Sequence, residues 1–318
     1  MKIVIHDPLG IDDEYLEMIR QAAGDDTVLV ASKEDLAGEL VDAEVFFGFH
    51  SPEVFAGAAG LKWIQTTAAG IEKILVPELT ERGLLLTNAS GIHAPPVVEM
   101  AWALTLAVGR NMKRFHRQQQ EHHWEFTEPF DVNGRTVGII GLGGIGRRYA
   151  RVAVAFGMRV IAVDLHHPPQ PDDVESLWPL DRLNDLIAES DVVLVSCPAT
   201  RETQGLVGAE QLALMKPDAI LVNIARGGIV DEPALIECLT EGRIAGAGLD
   251  VTATEPLPAD SPLWDTPDLV ITPHCAGLSR DRVKHLVEFF CENLGRYKAG
   301  EPLQNLVDQD KGYPVPGE

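Results

Sequence analysis

An α/β protein of two units, each with a mainly parallel sheet covered by helices, is what this sequence predicts. Three observations carry the prediction. The 318 residues are enough for two domains of ordinary size, each with a buried core. Short β-rich apolar runs alternate with helical patterns from end to end, the order that pairs strands in parallel through helical crossovers. Two such series are separated by Pro95-Pro96 and a long helical pattern.

The first series contains "KIVIH" (2–6), "TVLVA" (27–31), "EVFFG" (44–48), "KWIQT" (62–66) and "LLLTN" (84–88), with helix-like segments such as "DDEYLEMIRQAAG" between several of them. After Pro96 a helical stretch runs to about Gln120. Its apolar part, Val97 to Val108, includes Glu99 and is too short to span a bilayer, so it reads as a buried helix. The second series is "TVGII" (136–140), "RVIAV" (159–163), "DVVLV" (191–195), "AILVN" (219–223), "AGAGL" (245–249) and "LVIT" (269–272). Asp231 precedes "EPALIECLTEG", with Pro233 in its first turn and Gly242 at its end, which are helix start and stop signals. Ser279 is positioned to cap a last helix to about Lys298 that returns the chain to the first unit. The expected division is residues 1–96 completed by 290–318, and residues 97–289, with a frayed "PVPGE" tail.

Composition narrows the partners. Lys and Arg number 26 against 48 Asp and Glu, and the net charge of −22 opposes binding to nucleic acid or an anionic membrane. The opening "MKIVIH" reads as a strand, not a signal peptide. Cys197, Cys238, Cys275 and Cys291 lack C-x-x-C spacing, so reduced thiols, a cytoplasmic location and no metal site are expected.

The stretch "TVGIIGLGGIGRRYARVAVAFGMRVIAVD" holds Gly141, Gly143 and Gly146 as G-x-G-x-x-G directly after a strand and at the start of a helix, with Asp164 at the end of the next strand. Such glycines allow a tight turn, close approach of backbone N–H groups to a pyrophosphate, and helix–strand contact. Asp164 suits the adenosine ribose hydroxyls and repels a 2′-phosphate, favouring NAD over NADP. His166 and His167 follow it where a cation would favour NADP; a solvated loop accounts for them as well.

Downstream, "NIARGG", "TATEPLP" and "VITPHCAG" carry Arg226, Glu255 and His274, each at or just beyond the C-terminal end of a strand, the edge where open α/β sheets bind ligands. Hydride transfer to a ketone requires a proton donor, positive charge near the developing alkoxide and an anchor for the substrate. His274 suits proton exchange near neutral pH, Glu255 on its other ring nitrogen would fix the tautomer, and Arg226 suits a fork grip on a carboxylate. Taken singly, each has a structural alternative: a packed histidine, an Arg226–Asp231 pair, a solvated turn before Pro256.

These strings, with "CPATRETQGLVGAEQLALMKPDAILVNIARGGIVDE" and "AGLDVTATEPLP", resemble the D-isomer-specific 2-hydroxyacid dehydrogenase family over roughly residues 136–277. The resemblance implies two Rossmann-like or flavodoxin-like domains with a cleft between them. It also implies hydride transfer between NAD(H) and a small 2-oxoacid or D-2-hydroxyacid, glyoxylate or hydroxypyruvate by default. Arg226 is then the carboxylate anchor, His274 the acid–base group paired with Glu255, and Asp250 the partner of the nicotinamide carboxamide. The expected cofactor set is Gly141, Gly143, Gly144, Ile145, Gly146, Asp164, Cys197, Pro198, Thr203, Ile224, Ala225 and Asp250. "TTAAGIEKI" resembles the loop whose backbone holds the substrate carboxylate, which nominates Ala69, Gly70 and Ile71; His50 falls in a loop that shapes substrate choice. By the same resemblance the long helix and following arm imply a homodimer, and Trp124 in that arm fits either a dimer contact near the cleft, as in the family, or core packing. Ala199 and Met100 depart from the residues usual in the family. Glu255 matches the hydroxyacid enzymes, whereas the formate dehydrogenase branch carries glutamine there. The alternative reading is an NAD-binding, corepressor-like scaffold of the same fold with little turnover.

Overall fold

Apolar runs bounded by turn residues form the strands of two parallel sheets. The computed structural model describes residues 1–6, 10–71, 74–166, 168–309 and 313–314, so most of the expected frayed tail lies outside the described residues. The chain divides into two compact units, residues 1–93 with 279–318, and residues 94–278.

In the first unit, β1 (Lys2–His6), β2 (Thr27–Val30), β3 (Val45–Gly48), β4 (Trp63–Thr66) and β5 (Leu85–Thr87) pair in the order β2-β1-β3-β4-β5, all parallel. Helix α1 (Asp13–Ala23) starts where the Asp12 side chain accepts from Tyr15 N and stops at Gly24. Two single turns, α2 (Leu36–Glu39) and α3 (Pro77–Thr80), complete the connections.

The second unit opens with α4 (Ala94–Gly109) and α5 (Met112–Gln120). The expected single helix is therefore two. Asn111 adopts φ +55°, a left-handed conformation that Asn tolerates and that interrupts the helical ladder. Then follow β6 (Thr136–Ile140), α6 (Gly144–Ala155), β7 (Arg159–Val163), β8 (Ser176–Trp178), α7 (Leu183–Glu189), β9 (Val192–Val195), α8 (Ala209–Leu214), β10 (Ile220–Asn223), α9 (Glu232–Thr240), β11 (Gly246–Leu249) and β12 (Leu269–Ile271). Their order is β12-β11-β10-β9-β6-β7-β8, with parallel pairing throughout. Strands β9, β10 and β11 are buried along their whole length, as sheets covered on both faces must be. Strand β8 falls outside the apolar runs of the sequence; it is a three-residue edge strand and only partly buried.

Helix α4 packs on α6, β10 and β11. Trp102 stacks on Tyr149 with ring centroids 4.3 Å apart, and the buried Tyr149 hydroxyl meets Thr105 Oγ1 at 2.8 Å. The last helix, α10 (Arg282–Ala299), belongs entirely to the first unit: Leu286, Val287, Phe290 and Leu294 are buried with Ile3, Ile5, Ile19 and Phe47. The chain thus returns near residue 279 and not 290. The N-cap position of α10 is Asp281 instead of Ser279, whose contribution is its backbone carbonyl, 3.3 Å from Arg282 N.

Candidate active site

The order of the second sheet reverses at β6, with β7 on one side and β9 on the other, and the glycine-rich turn leaves from the end of β6. Open α/β sheets bind ligands at such a switch point. The three glycines differ in their surroundings. Gly141 has φ +94°, and a Cβ there would lie 2.7 Å from the backbone of Cys197 at the end of β9. At Gly146 a Cβ would lie 2.4 Å from the carbonyl oxygen of Gly141, so α6 can rest this close to the turn only without a side chain. Gly143 is exposed, and a Cβ on it would meet nothing within 4 Å. The turn and the packing explain the outer two glycines; packing does not explain the middle one, whose open backbone stands at the N-terminus of α6, the kind of helix end that can receive an anion. Gly144 and Ile145 form the first turn of that helix.

Asp164, at the end of β7, holds the glycine turn. Its Oδ2 accepts from Leu142 N at 2.7 Å and its Oδ1 from His166 N at 2.9 Å, which leaves acceptor capacity for ribose hydroxyls. His167 lies outside the described residues. Cys197 is buried, and burial pushes its thiol up to about 12, so it forms a neutral wall behind the turn. Thr203 Oγ1 donates to Pro198 O at 2.8 Å and accepts from Thr200 N at 2.7 Å, fixing the loop that presents Pro198.

Arg226, Glu255 and His274 follow adjacent strands β10, β11 and β12. Asn223, fully buried at the end of β10, accepts from Ala225 N at 3.0 Å and donates to Arg226 O at 2.9 Å; this turn buries Ile224 and Ala225 and brings Arg226 to the sheet edge. Arg226 Nη1 donates to Ala225 O at 2.8 Å. A Cβ on Gly227 would lie 2.0 Å from the Thr252 carbonyl carbon, so the β10 and β11 loops pass in direct backbone contact. Beyond that crossing, Glu255 Oε1 accepts from Thr252 N at 3.1 Å while Oε2 meets His274 Nδ1 at 2.6 Å. Both side chains remain accessible, 36% exposed for Glu255 and 47% for His274.

His274 has φ +49°, a left-handed conformation that costs a residue with a Cβ about 1–2 kcal/mol. Asp250 offsets that cost. It is 1% exposed, and its Oδ1 accepts from Thr272 Oγ1 at 2.6 Å and Cys275 N at 3.0 Å. Its Oδ2 accepts from Ala276 N at 3.0 Å, and its backbone carbonyl from His274 N at 2.8 Å. Asp250 thus fastens the histidine loop, a role that its place in the sequence does not signal, and retains acceptor capacity on Oδ2 for the carboxamide that the resemblance assigns to it. Asn223, Thr252 and Gly227 are further supports absent from the sequence-based expectations; only the paired glycines after Arg226 signal a close crossing.

The description "D-isomer specific 2-hydroxyacid dehydrogenase, NAD binding domain" matches residues 102–276. This chain belongs to the D-isomer specific 2-hydroxyacid dehydrogenase family. It is an NAD-binding oxidoreductase acting on the CH–OH group of its donor. Among its relatives is a glyoxylate reductase of Korarchaeum cryptofilum, 40% identical over 266 residues that cover 81% of this chain and 79% of that one. A hydroxypyruvate reductase of Blautia hydrogenotrophica is 29% identical, covering 97% of this chain and 100% of the relative. The crystal structure of a D-isomer specific 2-hydroxyacid dehydrogenase from Xanthobacter autotrophicus Py2, in complex with NADPH and MES, superposes with a TM-score of 0.86 at 30% identity, covering 98% and 99% of the two chains.

In the first unit of this dehydrogenase, the loop after β4 exposes Ala69 and buries Ile71; Ala69 O accepts from Asn88 Nδ2 at 2.6 Å. Among the described residues, no acceptor is matched to the N–H groups of Ala69, Gly70 or Ile71. His50, half-buried, lies two residues past β3. His93 hydrogen-bonds Thr67 O at 3.3 Å, and burial holds its imidazole below the usual range. Trp124, in the second unit, is 99% exposed and Phe126 84%, so core packing does not account for Trp124. Among the described residues no helix is long and apolar enough to cross a membrane.

The glycine geometry separates packing from binding. Gly143→Ala is expected to melt within about 2 °C of the wild type, while its NADH dissociation constant rises about tenfold or more. Gly146→Ala is expected to lower the melting temperature by several degrees. Thermal melts with and without NADH check both; equal destabilisation by the two variants contradicts the assignment.

Proposed function

We propose that this dehydrogenase reduces a small 2-oxoacid to the D-2-hydroxyacid with NADH, and that glyoxylate and hydroxypyruvate, which the names of its relatives carry, are its substrate class. The observation that carries the reading is the 2.6 Å contact between His274 Nδ1 and Glu255 Oε2 on a sheet edge shared with Arg226. Because Nδ1 is engaged by the carboxylate, Nε2 is the ring nitrogen left to hold the exchangeable proton. In the reductive direction His274 Nε2 gives that proton to the substrate carbonyl oxygen, and it takes the proton back in oxidation. Glu255, itself fixed by Thr252 N, keeps the ring in one tautomer and orientation. Arg226 supplies permanent positive charge for the substrate carboxylate and for the charge gathering on the carbonyl oxygen. Bound NADH supplies the hydride. In the first unit, the N–H groups of the 69–71 loop, which have no acceptor among the described residues, are available as donors for an anion.

The scaffold reading has no comparable support, since it assigns no task to the His274–Glu255 pair. The acidic Asp164 beside the glycine turn supports NADH over NADPH. The exposed Trp124 and Phe126 support assembly as a homodimer through the arm that follows α5, because a second copy would cover apolar side chains that the single chain leaves in water. Four free thiols support a cytoplasmic location.

A panel of 2-oxoacids assayed with NADH and NADPH is expected to show turnover of glyoxylate or hydroxypyruvate with NADH preferred. His274→Ala is expected to lower kcat about 10²–10⁴-fold with little change in NADH affinity. Arg226→Ala is expected chiefly to raise KM for the oxoacid. Full activity in both variants contradicts the reading. Sedimentation equilibrium is expected to give twice the chain mass for the wild type and a shift toward the single chain for the double variant Trp124→Ser, Phe126→Ser; an unchanged mass contradicts the arm as the interface.

A further inference from the structure

The carbonyl groups of the glycine turn are as firmly held as its glycines. A pyrophosphate accepts hydrogen bonds and donates none, so a turn that binds it must offer N–H groups and keep its carbonyl oxygens occupied elsewhere. Each carbonyl of residues 141–143 has a donor. Gly141 O accepts from Ser196 Oγ, just past β9, at 2.8 Å, and Gly143 O accepts from Arg147 N in the first turn of α6 at 2.9 Å. Leu142 O accepts from Arg147 Nε at 3.1 Å, and Nη2 of the same guanidinium donates to Pro169 O at 3.0 Å.

The carbonyl and the N–H of one planar peptide unit point in opposite directions, so a donor on the oxygen of one residue also sets the N–H of the next. The unit joining residues 141 and 142 is held at both ends, because Leu142 N is taken by Asp164 Oδ2 at 2.7 Å. In the next two units only the oxygen is held, and the N–H groups of Gly143 and Gly144 have no acceptor among the described residues. The bond on Gly143 O is helical and would form with almost any residue at 147. The bond on Leu142 O comes from a side chain, and the glycine spacing does not specify it. Arg147 is partly buried and anchored at a second point in the loop after β7, whereas its neighbour Arg148 is exposed.

We infer that Arg147 is a positioning residue for the pyrophosphate of the bound cofactor. Its guanidinium, braced on Pro169 O, holds Leu142 O away from the phosphates and thereby fixes the Gly143 N–H as a donor to them. The planar fork does this, not the positive charge alone: Arg148 brings the same charge to the same end of α6, and among the described residues it has no bond to the turn. This role belongs to cofactor binding and holds whichever oxoacid is reduced.

The test compares ADP-ribose, which carries the pyrophosphate, with adenosine, which lacks it, each titrated calorimetrically into the full chain. Dissociation constants do not depend on how much of a variant is folded, and their ratio cancels any loss shared by the whole adenosine site. Lysine retains the charge but cannot span both carbonyl groups as the fork does. The preference for ADP-ribose over adenosine is expected to fall at least about fivefold in Arg147→Ala and in Arg147→Lys, and to stay within about twofold of the wild type in Arg148→Ala. A smaller fall in either Arg147 variant, or an equal fall in Arg148→Ala, overturns the inference.

Discussion

The contact between His274 Nδ1 and Glu255 Oε2, 2.6 Å long, is the interaction on which the rest of the site depends. It joins side chains from two different loops, so its length reports how well both loops are held. The loop after β11 is held by the Gly227 crossing and by Thr252 N on Glu255; the loop after β12 is held by Asp250, which takes three donors from residues 272–276 on its side chain and His274 N on its carbonyl. The left-handed backbone of His274 is tolerated because those bonds over-determine it. With its backbone held by Asp250 and its Nδ1 engaged by Glu255, His274 has the preorganisation that the proposed proton transfer requires.

Part of the protein's acidity is spent on this kind of fastening. Asp12 and Asp231 accept from backbone N–H groups at the starts of α1 and α9, Asp191 accepts from Thr136 N at 2.8 Å beside β6, Asp164 grips the glycine turn and Asp250 the histidine loop. Charge-assisted bonds from backbone donors to carboxylates are among the stronger ones available to a loop. The net charge of −22 therefore includes groups whose work is to hold ligand-binding turns in shape, while Arg226 provides local positive charge at the sheet edge.

The strands were legible because sheets covered on both faces require unbroken apolar runs, and "TVGII" and "RVIAV" match β6 and β7 residue for residue. The glycine turn was legible because its three glycines fall at fixed positions directly after a strand and at the start of a helix. Strand β8 was hidden because an edge strand needs no apolar run, and the break at Asn111 because one left-handed residue leaves the periodicity on either side intact. Ser279 misled because a capping residue two positions early looks the same in sequence. In the site, the chemistry of Arg226, Glu255 and His274 was readable from residue type and strand-end position. The supports, Asn223, Thr252 and the loop-fastening role of Asp250, were not, since their partners are backbone groups that only the folded chain brings near.

The central claim is that the carboxylate of Glu255 prepares His274 to move a proton as the hydride is transferred. The most direct measurement is the single-turnover rate of NADH oxidation by stopped flow in Glu255→Gln, at saturating NADH and oxoacid. A rate about 10²–10⁴-fold below that of the wild type, with NADH still bound, is the predicted result. A rate equal to that of the wild type would contradict it.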